Sequence, residues 1–290
     1  MTALAGAKVA VFGGRRGMLG QALTRALERS KAVALPLSSQ DFDPLDARAL
    51  ESFLDRQKPD MAFNAAAYTA VDQAEDEPQA AYRLNRDLPA LLGRLCAERG
   101  VRLLHFSTDF VFDGRGHEPL RPGDPTGPLS VYGASKLAGE EALRGLPGVT
   151  VARTAWLYGP GRTNFVTKIL ELAKTRESLN VVHDQEGSPT YTPDLAALAL
   201  ALAASKVDGV LHLANSGRAT WCELAAEAVH LAGLPCRVQP IPSSAWPSKA
   251  ARPAFSVLDT SAFTEATGVT PRPWNQALRD YVFGDLGLGV

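Results

Sequence analysis

Short apolar segments alternate with amphipathic segments of helical period through the first half of this 290-residue chain. Strands that alternate with helices form parallel sheets through right-handed crossovers. The fold class predicted from the sequence is therefore α/β, with a doubly wound parallel sheet. The strands are predicted at Val9–Phe12, Ala32–Leu37, Met61–Ala66, Val101–Ser107 and Val149–Arg153, and the helices at Leu19–Arg29, Ala47–Arg56 and Glu77–Arg99.

From about residue 155 the alternation becomes looser. We predict a sheet domain over residues 1–155 and mainly a smaller lobe over residues 156–290, with some segments of the second half interleaved back into the first domain. The proline-rich segment Pro235–Pro253 is expected to be irregular. The predicted elements of the second half are helices at Asn164–Lys174, Asp194–Ala203 and Trp274–Tyr281, and short strands at Val181–His183 and Val210–Leu213.

Composition argues against several functional classes. A formal net charge of -1, with no run of basic residues, disfavours nucleic acid and anionic membrane surfaces as partners. The 3 cysteines share no Cys-x-x-Cys spacing and the 5 histidines form no ligand pattern, so neither a disulfide nor a metal site is expected. No apolar stretch approaches the roughly 18 residues of a membrane span. With no secretory pattern at the N-terminus, we expect a cytoplasmic protein.

A glycine-rich loop connects the first strand to the first helix, with the spacing Gly-x-x-Gly-x-x-Gly. Glycines permit the tight turn and let the backbone approach a pyrophosphate, whose charge the helix N-terminus stabilises. The alternative is a glycine-rich turn without a ligand, but the strand before it and the helix after it favour nucleotide binding. The predicted contacts are Gly14, Arg15, Arg16, Gly17, Met18, Leu19 and Gly20.

The second strand bears on the choice of nicotinamide cofactor. A fold that selects NAD usually places a carboxylate about 20 residues beyond the loop, on the ribose 2′-hydroxyl. Here that strand ends in Ser38-Ser39 and the first acid is Asp41, whereas Arg15 and Arg16 could meet a 2′-phosphate. We therefore predict NADPH, with NADH possible; the alternative is that both arginines are simply solvated.

Tyr132 and Lys136 lie four residues apart and share one face of a predicted helix. A neighbouring ammonium favours phenolate, so we expect Lys136 to lower the pKa of Tyr132 and make it a proton donor near neutral pH. Thr108 ends the fourth strand, at the carboxyl edge where parallel sheets present ligands. The predicted catalytic residues are Thr108, Tyr132 and Lys136.

The chain resembles the dTDP-4-dehydrorhamnose reductases, a family of extended short-chain dehydrogenases, over almost its whole length. The matching segments begin at the third strand and continue to the proline-rich region. They are 64–72, 107–114, 132–140, 153–159, 164–165, 184–190 and 252–260, including Ser107-Thr-Asp-Phe-Val-Phe-Asp-Gly114, Tyr132-Gly-Ala-Ser-Lys136 and Arg153-Thr-Ala-Trp156.

The resemblance implies a Rossmann-like fold with a substrate-binding C-terminal lobe, and reduction of the C4 keto group of a dTDP-sugar. It implies that Tyr132 protonates the oxygen, Thr108 polarises the carbonyl, and Lys136 holds the nicotinamide ribose and tunes Tyr132. Some members hold Mg²⁺ between subunits, but its ligands are not identifiable in this sequence. Matching positions contact the sugar nucleotide at Thr108, Asp109 and Trp156, and line the cofactor at Asp46, Ala47, Ala67, Tyr68, Thr69 and Phe106.

Several alternatives remain open at the level of sequence. A 4,6-dehydratase is disfavoured because Asp109 is followed by Phe110 instead of the second acid that elimination needs. Another sugar-nucleotide 4-ketoreductase or a 4-epimerase could use the same Tyr-Lys chemistry. A non-catalytic, NADP-binding regulatory subunit could keep the fold without turnover. The protein could be a monomer or a homodimer.

Overall fold

The computed structural model describes residues 4–288 and is built around a six-stranded sheet. In space the strands follow the order β2-β1-β3-β4-β5-β10, and every neighbouring pair is parallel, which confirms the predicted doubly wound sheet. The strands of the whole chain are β1 Lys8–Phe12, β2 Val33–Leu37, β3 Met61–Asn64, β4 Arg102–Thr108, β5 Val149–Thr154, β6 Leu157–Tyr158, β7 Ser178–Val182, β8 Glu186–Gly187, β9 Thr190–Tyr191, β10 Gly209–His212, β11 Ala219–Thr220 and β12 Arg237–Ile241.

Helices cover both faces of this sheet. Leucines of α1 and α8 bury one face, and leucines of α2, α5 and α6 bury the other. Since a parallel sheet exposes neither face, its strands are continuously apolar, as in the sequence Val-Ala-Val-Phe of β1. The helices are α1 Met18–Arg29, α2 Ala47–Gln57, α3 Val71–Ala74, α4 Pro78–Tyr82, α5 Leu88–Glu98, α6 Val131–Leu143, α7 Phe165–Ala173, α8 Thr192–Ser205, α9 Trp221–Leu231, α10 Ser261–Thr267 and α11 Trp274–Asp280.

The second half of the chain contributes both to the core of the central sheet and to a separate hydrophobic cluster. One strand and two helices, β10, α8 and α10, return to the core of the central sheet. In a separate cluster, α7, α9 and α11 pack around Tyr158, Tyr191 and Tyr281. The division of the chain at residue 155 stays a prediction. Over residues 4–288, no helix is both long enough and apolar enough to cross a membrane.

The long helix predicted over Glu77–Arg99 is interrupted. A π-helical turn at Arg83–Asp87 separates α4 from α5. Pro89 lacks the backbone N–H that an α-helix would donate to the Asn85 carbonyl, which favours the wider register at this point. The turn buries Asn85 between the sheet and α6.

The third strand and the proline-rich segment also differ from the sequence prediction. The third strand ends at Asn64 instead of Ala66. The segment predicted to be irregular contains β12, which pairs in parallel with β7 in a two-stranded sheet. Pro240 lies within β12. A proline cannot donate to a neighbouring strand, so it is tolerated where a strand has one partner only.

Gly139 allows α6 to lie directly on the π-helical turn. A Cβ at Gly139 would overlap the backbone oxygen of Asn85 and lie 3.1 Å from Pro89 Cγ. We expect Gly139→Ala to lower the free energy of unfolding by roughly 1–3 kcal/mol, because the added carbon overpacks this contact. Denaturant unfolding of purified protein measures the change.

Gly284→Ala is the matched control, since Gly284 is also helical and a Cβ there meets nothing within 4 Å. This substitution is expected to be neutral or to stabilise the protein by up to about 1 kcal/mol. Equal stability of the two variants would contradict the close approach at Gly139.

Candidate active site

The glycine loop forms a close turn between β1 and α1. Its backbone closes on itself through the bond from Gly17 N to Gly13 O at 3.0 Å. A Cβ at Gly14 would lie 2.9 Å from Pro36 Cα, and a Cβ at Gly20 would overlap the Gly13 carbonyl. Among the residues that the structure describes, no side chain caps the N-terminus of α1. Its N–H groups and the tight glycine backbone therefore fit the phosphates of a dinucleotide.

The other members of the loop lie around this turn. Met18 begins α1, and its sulfur is 3.9 Å from the Asn164 amide of the C-terminal cluster. Leu19 is buried in the core. Arg16 is exposed.

Arg15 is paired with the first acid beyond β2. Its Nε donates to Asp41 Oδ2 at 3.0 Å, and the same oxygen accepts from the Ser38 N–H at 2.9 Å. Hydrogen bonds from Ser38 and Arg15 outweigh desolvation and lower the pKa of Asp41. Both an acid and a guanidinium therefore lie at the end of β2. This pair was missed in the sequence, where the arginine and the acid were considered separately.

Asp46 caps the N-terminus of α2. Its Oδ1 accepts from the N–H groups of Arg48 at 3.0 Å and Ala49 at 3.2 Å, which makes it the N-cap residue of a helix that begins at Ala47. The predicted contact of Asp46 with the cofactor remains a proposal, for which its second carboxylate oxygen, Oδ2, is the available acceptor.

Asn85 holds the segment predicted to line the cofactor. Ala67, Tyr68 and Thr69 follow β3 without regular structure. Asn85 Oδ1 accepts from the Tyr68 N–H at 2.9 Å, and its Nδ2 donates to the Tyr68 carbonyl at 3.1 Å and to Ser135 Oγ at 2.9 Å. One buried amide therefore fixes this segment against α6. Sequence reasoning missed Asn85, and the local sequence signal for the irregular turn that contains it is Pro89, four residues further on.

Thr108 and Asp109 lie at the carboxyl end of β4, as predicted, and both are buried. Thr108 Oγ1 donates to Asp109 Oδ1 at 3.0 Å. The other carboxylate oxygen accepts from Ser256 Oγ at 2.6 Å. Burial raises the pKa of Asp109 to about 6, against the opposing effect of these hydrogen bonds.

Tyr132 and Lys136 lie in the first turns of α6, beside β4. The Tyr132 ring meets Phe110 edge-on, with ring centroids 5.5 Å apart. Lys136 Nζ donates to the backbone carbonyl of Phe106 at 2.6 Å. The side chain of Phe106 is buried in the core. Burial lowers the pKa of Lys136 to about 8, although the Glu140 charge opposes the shift.

The predicted direction of the Tyr132 pKa is wrong for this structure. Burial of the phenol, with a further contribution from Asp109, raises the pKa of Tyr132 to about 12, although the neighbouring Thr108 hydroxyl acts against the shift. The sequence argument considered the cation of Lys136 alone. It omitted desolvation, which disfavours the charged form of any buried group.

Trp156 lies just beyond β5 in a left-handed conformation, with φ of 48°. Its indole stacks on Trp221 with ring centroids 3.5 Å apart and planes at 2°. A Cβ at Gly187 would collide with the same indole, so glycine there permits the contact. Trp156 therefore joins the sheet domain to the C-terminal cluster. Its predicted contact with a substrate stays a proposal.

Comparison with known proteins identifies the family. The model of the RmlD substrate binding domain family matches residues 7–284. The chain belongs to this family. It is 44% identical over 276 residues to a dTDP-4-dehydrorhamnose reductase of Streptomyces griseus, with 92% of this chain and 90% of the relative covered. The family resemblance inferred from the sequence is thereby confirmed.

Solved structures agree with the fold. A dTDP-4-dehydrorhamnose reductase from Clostridium acetobutylicum superposes with a TM-score of 0.91 at 36% identity, covering 96% of this chain and 99% of that one. The reductase from Bacillus anthracis, solved in complex with NADP, gives a TM-score of 0.91 at 30% identity and covers 95% and 98%. The predicted Rossmann-like, extended short-chain dehydrogenase fold is confirmed.

In this RmlD-family chain a buried ion pair holds α6, which carries Tyr132 and Lys136, against the sheet. Arg153 at the end of β5 donates to Glu140 of α6, from Nη2 at 2.7 Å and from Nε at 3.0 Å, with both side chains 5% exposed. Ser107 of β4 also donates to Glu140, and Arg153 Nη1 donates to the Pro122 carbonyl at 3.1 Å. The pair therefore ties two adjacent strand ends to the helix that carries Tyr132 and Lys136.

Within residues 4–288, no group of three or more histidine, cysteine or acidic side chains is arranged to hold a metal ion.

We expect Glu140→Ala to lower the free energy of unfolding by about 3–5 kcal/mol, because it leaves the Arg153 guanidinium buried without its counter-charge. Thermal or denaturant unfolding checks the size of the effect. Glu141→Ala is the control: Glu141 pairs with Arg144 on the surface, with side chains 57% and 77% exposed, and an exposed pair contributes about 0–1 kcal/mol. Similar losses of unfolding free energy in both variants would show that the buried pair contributes no more to stability than the exposed pair.

Proposed function

We propose that this protein reduces the C4 keto group of dTDP-4-dehydro-L-rhamnose with NADPH or NADH and forms dTDP-L-rhamnose, the last step of dTDP-rhamnose biosynthesis. The observation that carries the proposal is the meeting of Thr108, Tyr132 and Lys136 at the carboxyl edge of the sheet. The glycine cradle lies at the same edge, after β1. Membership of the RmlD family and the names of its relatives support the substrate.

A nicotinamide cofactor fits the glycine loop, and when bound it supplies the hydride for the carbonyl carbon. Gly14, Gly17 and Gly20 permit the tight turn of the loop, and the uncapped α1 N-terminus would stabilise the charge of the cofactor's pyrophosphate. Lys136 is the residue of α6 that would hold the nicotinamide ribose. The NADP complex of the Bacillus anthracis relative supports this class of cofactor.

Tyr132 is the proton donor in this mechanism. With a pKa of about 12, its phenol stays protonated at neutral pH and can give its proton to the oxygen as negative charge develops there. Thr108 offers a second hydroxyl to the same oxygen. Lys136 places a positive charge on the same helix face, which stabilises the tyrosinate that proton transfer leaves behind. Asp109 and Trp156 would contact the sugar nucleotide.

The decisive assay follows NADPH absorbance with dTDP-4-dehydro-L-rhamnose, and the wild-type protein is expected to oxidise NADPH in proportion to product. Tyr132→Phe should reduce kcat by roughly two to four orders of magnitude, the usual contribution of a positioned general acid. The affinity for NADPH should change little, because the ring remains. Tyr82→Phe, which alters a phenol on α4, is the control and should keep full activity.

Three outcomes would contradict parts of this proposal. Near-normal turnover by Tyr132→Phe would remove the phenol from the mechanism. Turnover of sugar without net loss of NADPH would indicate a 4-epimerase. Tight NADPH binding without turnover of any 4-keto sugar nucleotide would favour the non-catalytic regulatory subunit.

Arg15 is the residue that we expect to recognise a 2′-phosphate. The Asp41 carboxylate would repel a 2′-phosphate at the end of β2. The guanidinium of Arg15 lies 3.0 Å from that carboxylate and could turn to pair with the phosphate. Arg15→Ala should therefore weaken NADPH binding about tenfold and change NADH binding by about twofold or less. Fluorescence titration of each cofactor measures both.

Arg25→Ala removes an equal charge from an exposed position of α1 and serves as the control. It should leave the ratio of the two affinities unchanged. Equal weakening of NADPH and NADH by Arg15→Ala would mean that Arg15 is a general phosphate contact or a bystander.

A further inference from the structure

A serine far along the chain completes the hydrogen bonding of the catalytic strand end. Ser256 is 1% exposed and lies 147 residues from Asp109 in sequence. Its Oγ donates to Asp109 Oδ2 at 2.6 Å, while Thr108 donates to Oδ1 of the same carboxylate at 3.0 Å. Ser256 lies in a segment that resembles the reductase family, but no motif in the sequence gives it a role. One oxygen of the Asp109 carboxylate therefore accepts a hydrogen bond from Thr108, which is proposed to act on the substrate, and the other accepts one from Ser256.

We propose that Ser256 is a positioning residue for the reduction, which acts through Asp109 on the hydroxyl of Thr108. The inference rests on the proposed function, because Thr108 is the group that would polarise the carbonyl. Ser256 is buried, and its Oγ is closest to the Asp109 carboxylate, at 2.6 Å, with the Glu186 carbonyl as a more distant acceptor at 3.4 Å. Its effect on the reaction would therefore pass through Asp109.

The physical basis is competition for the Thr108 proton. A carboxylate with no other partner would hold that proton strongly and keep it from the carbonyl. The bond from Ser256 stabilises part of the negative charge, fixes the plane of the carboxyl group and makes Oδ1 a weaker acceptor. The Thr108 proton can then turn toward the carbonyl oxygen as charge develops there.

The groups that face Asp109 are few. The hydroxyls of Ser256 and Thr108 and the N–H groups of Asp109 and Phe110 all lower its pKa, against the effect of burial. Tyr132 of α6 is a titratable neighbour, and Asp109 raises the pKa of that phenol. On β8, the Glu186 carboxylate is directed to Arg218 at 3.5 Å, and only the Glu186 backbone carbonyl accepts from the Ser256 N–H.

The chain around Ser256 is anchored at both ends, which gives the serine a fixed position. We refer to residues 249–259 as the strap. Its first part is bound to the sheet domain: Arg252 pairs with Asp72 at 2.8 Å, and Lys249 pairs with Asp76. Further along, the Leu258 N–H donates to Ser188 Oγ at 3.0 Å in the C-terminal half. The strap thus holds Ser256 between the two halves of the chain.

The test is a double-mutant cycle on Ser256 and Asp109, assayed as reduction of dTDP-4-dehydro-L-rhamnose by the full-length protein. Ser256→Ala is expected to lower kcat roughly tenfold, as for loss of a hydrogen bond to a charged group, with KM changed by about twofold or less. In the Asp109→Asn background the same substitution should have almost no further effect, because the carboxylate through which it acts is gone.

Ser256→Cys and Ser188→Ala complete the design. Cysteine is close to serine in size but a weak donor, so Ser256→Cys should fold normally and still lose activity. Ser188→Ala removes a hydroxyl that is equally buried and bound to the strap, but that does not touch Asp109. Ser188→Ala should have the kcat of the wild-type protein. The melting temperature of every variant is measured as a check on folding.

The pH profile gives an independent readout. Since the Ser256 bond favours the charged carboxylate, its loss raises the pKa of Asp109. Titration of Asp109 should give an inflection in the plot of kcat/KM against pH, which is identified by its absence in Asp109→Asn. In Ser256→Ala this inflection should move to higher pH. A merely structural serine would lower activity at every pH and leave the inflection in place.

The inference is overturned if the effects of Ser256→Ala and Asp109→Asn multiply independently. It is equally overturned if Ser188→Ala loses as much kcat as Ser256→Ala, or if Ser256→Cys has full activity. Failure of the proposed function looks different, because wild-type protein would then reduce no 4-keto sugar nucleotide at all.

Discussion

The ion pair between Arg153 and Glu140 is the interaction on which the catalytic region depends. Burying two charges costs several kcal/mol per ion, and the cost is offset only where geometry is good and the remaining donors and acceptors are satisfied. Here Arg153 is bonded to both oxygens of Glu140 and to the Pro122 carbonyl, and its guanidinium lies 5.0 Å from the centre of the Phe112 ring. These directional contacts specify one position of α6 relative to β4 and β5, which hydrophobic packing alone would specify less sharply.

From that fixed helix the rest of the site follows. Lys136 lies one turn before Glu140, and Tyr132 one turn before Lys136, so all three share the face of α6 that meets β4. Gly133 and Gly139 permit close contact, because a Cβ at either would overlap the backbone oxygens of Phe110 and Asn85 respectively. The Asn85 amide then transmits the position of α6 to Tyr68. A single helix orientation therefore sets the positions of Tyr132, of Lys136 and of part of the predicted cofactor wall.

The sequence could predict features whose signals are local. The glycine spacing after β1, the i to i+4 spacing of Tyr132 and Lys136, and the position of Thr108 at a strand end each depend on a few neighbouring residues. The missed features depend on residues that folding brings together. Asp41 meets Arg15 across 26 positions, and Ser256 meets Asp109 across 147. No periodicity or spacing in a single sequence encodes such contacts.

The pKa of Tyr132 failed as a prediction for the same reason, since desolvation depends on the whole surrounding structure. The outcome changes the chemistry of the pair. In water the pKa of a lysine side chain is 10.5 and that of a tyrosine side chain is 10.0, so the lysine amine is a slightly stronger base than the tyrosine phenolate. Burial reverses this order, to about 8 for the pKa of Lys136 and about 12 for that of Tyr132. The phenol of Tyr132 therefore stays protonated at neutral pH. The spacing of the two residues places a cation on the same helix face, but burial by the surrounding structure decides which protonation state of the phenol is favoured.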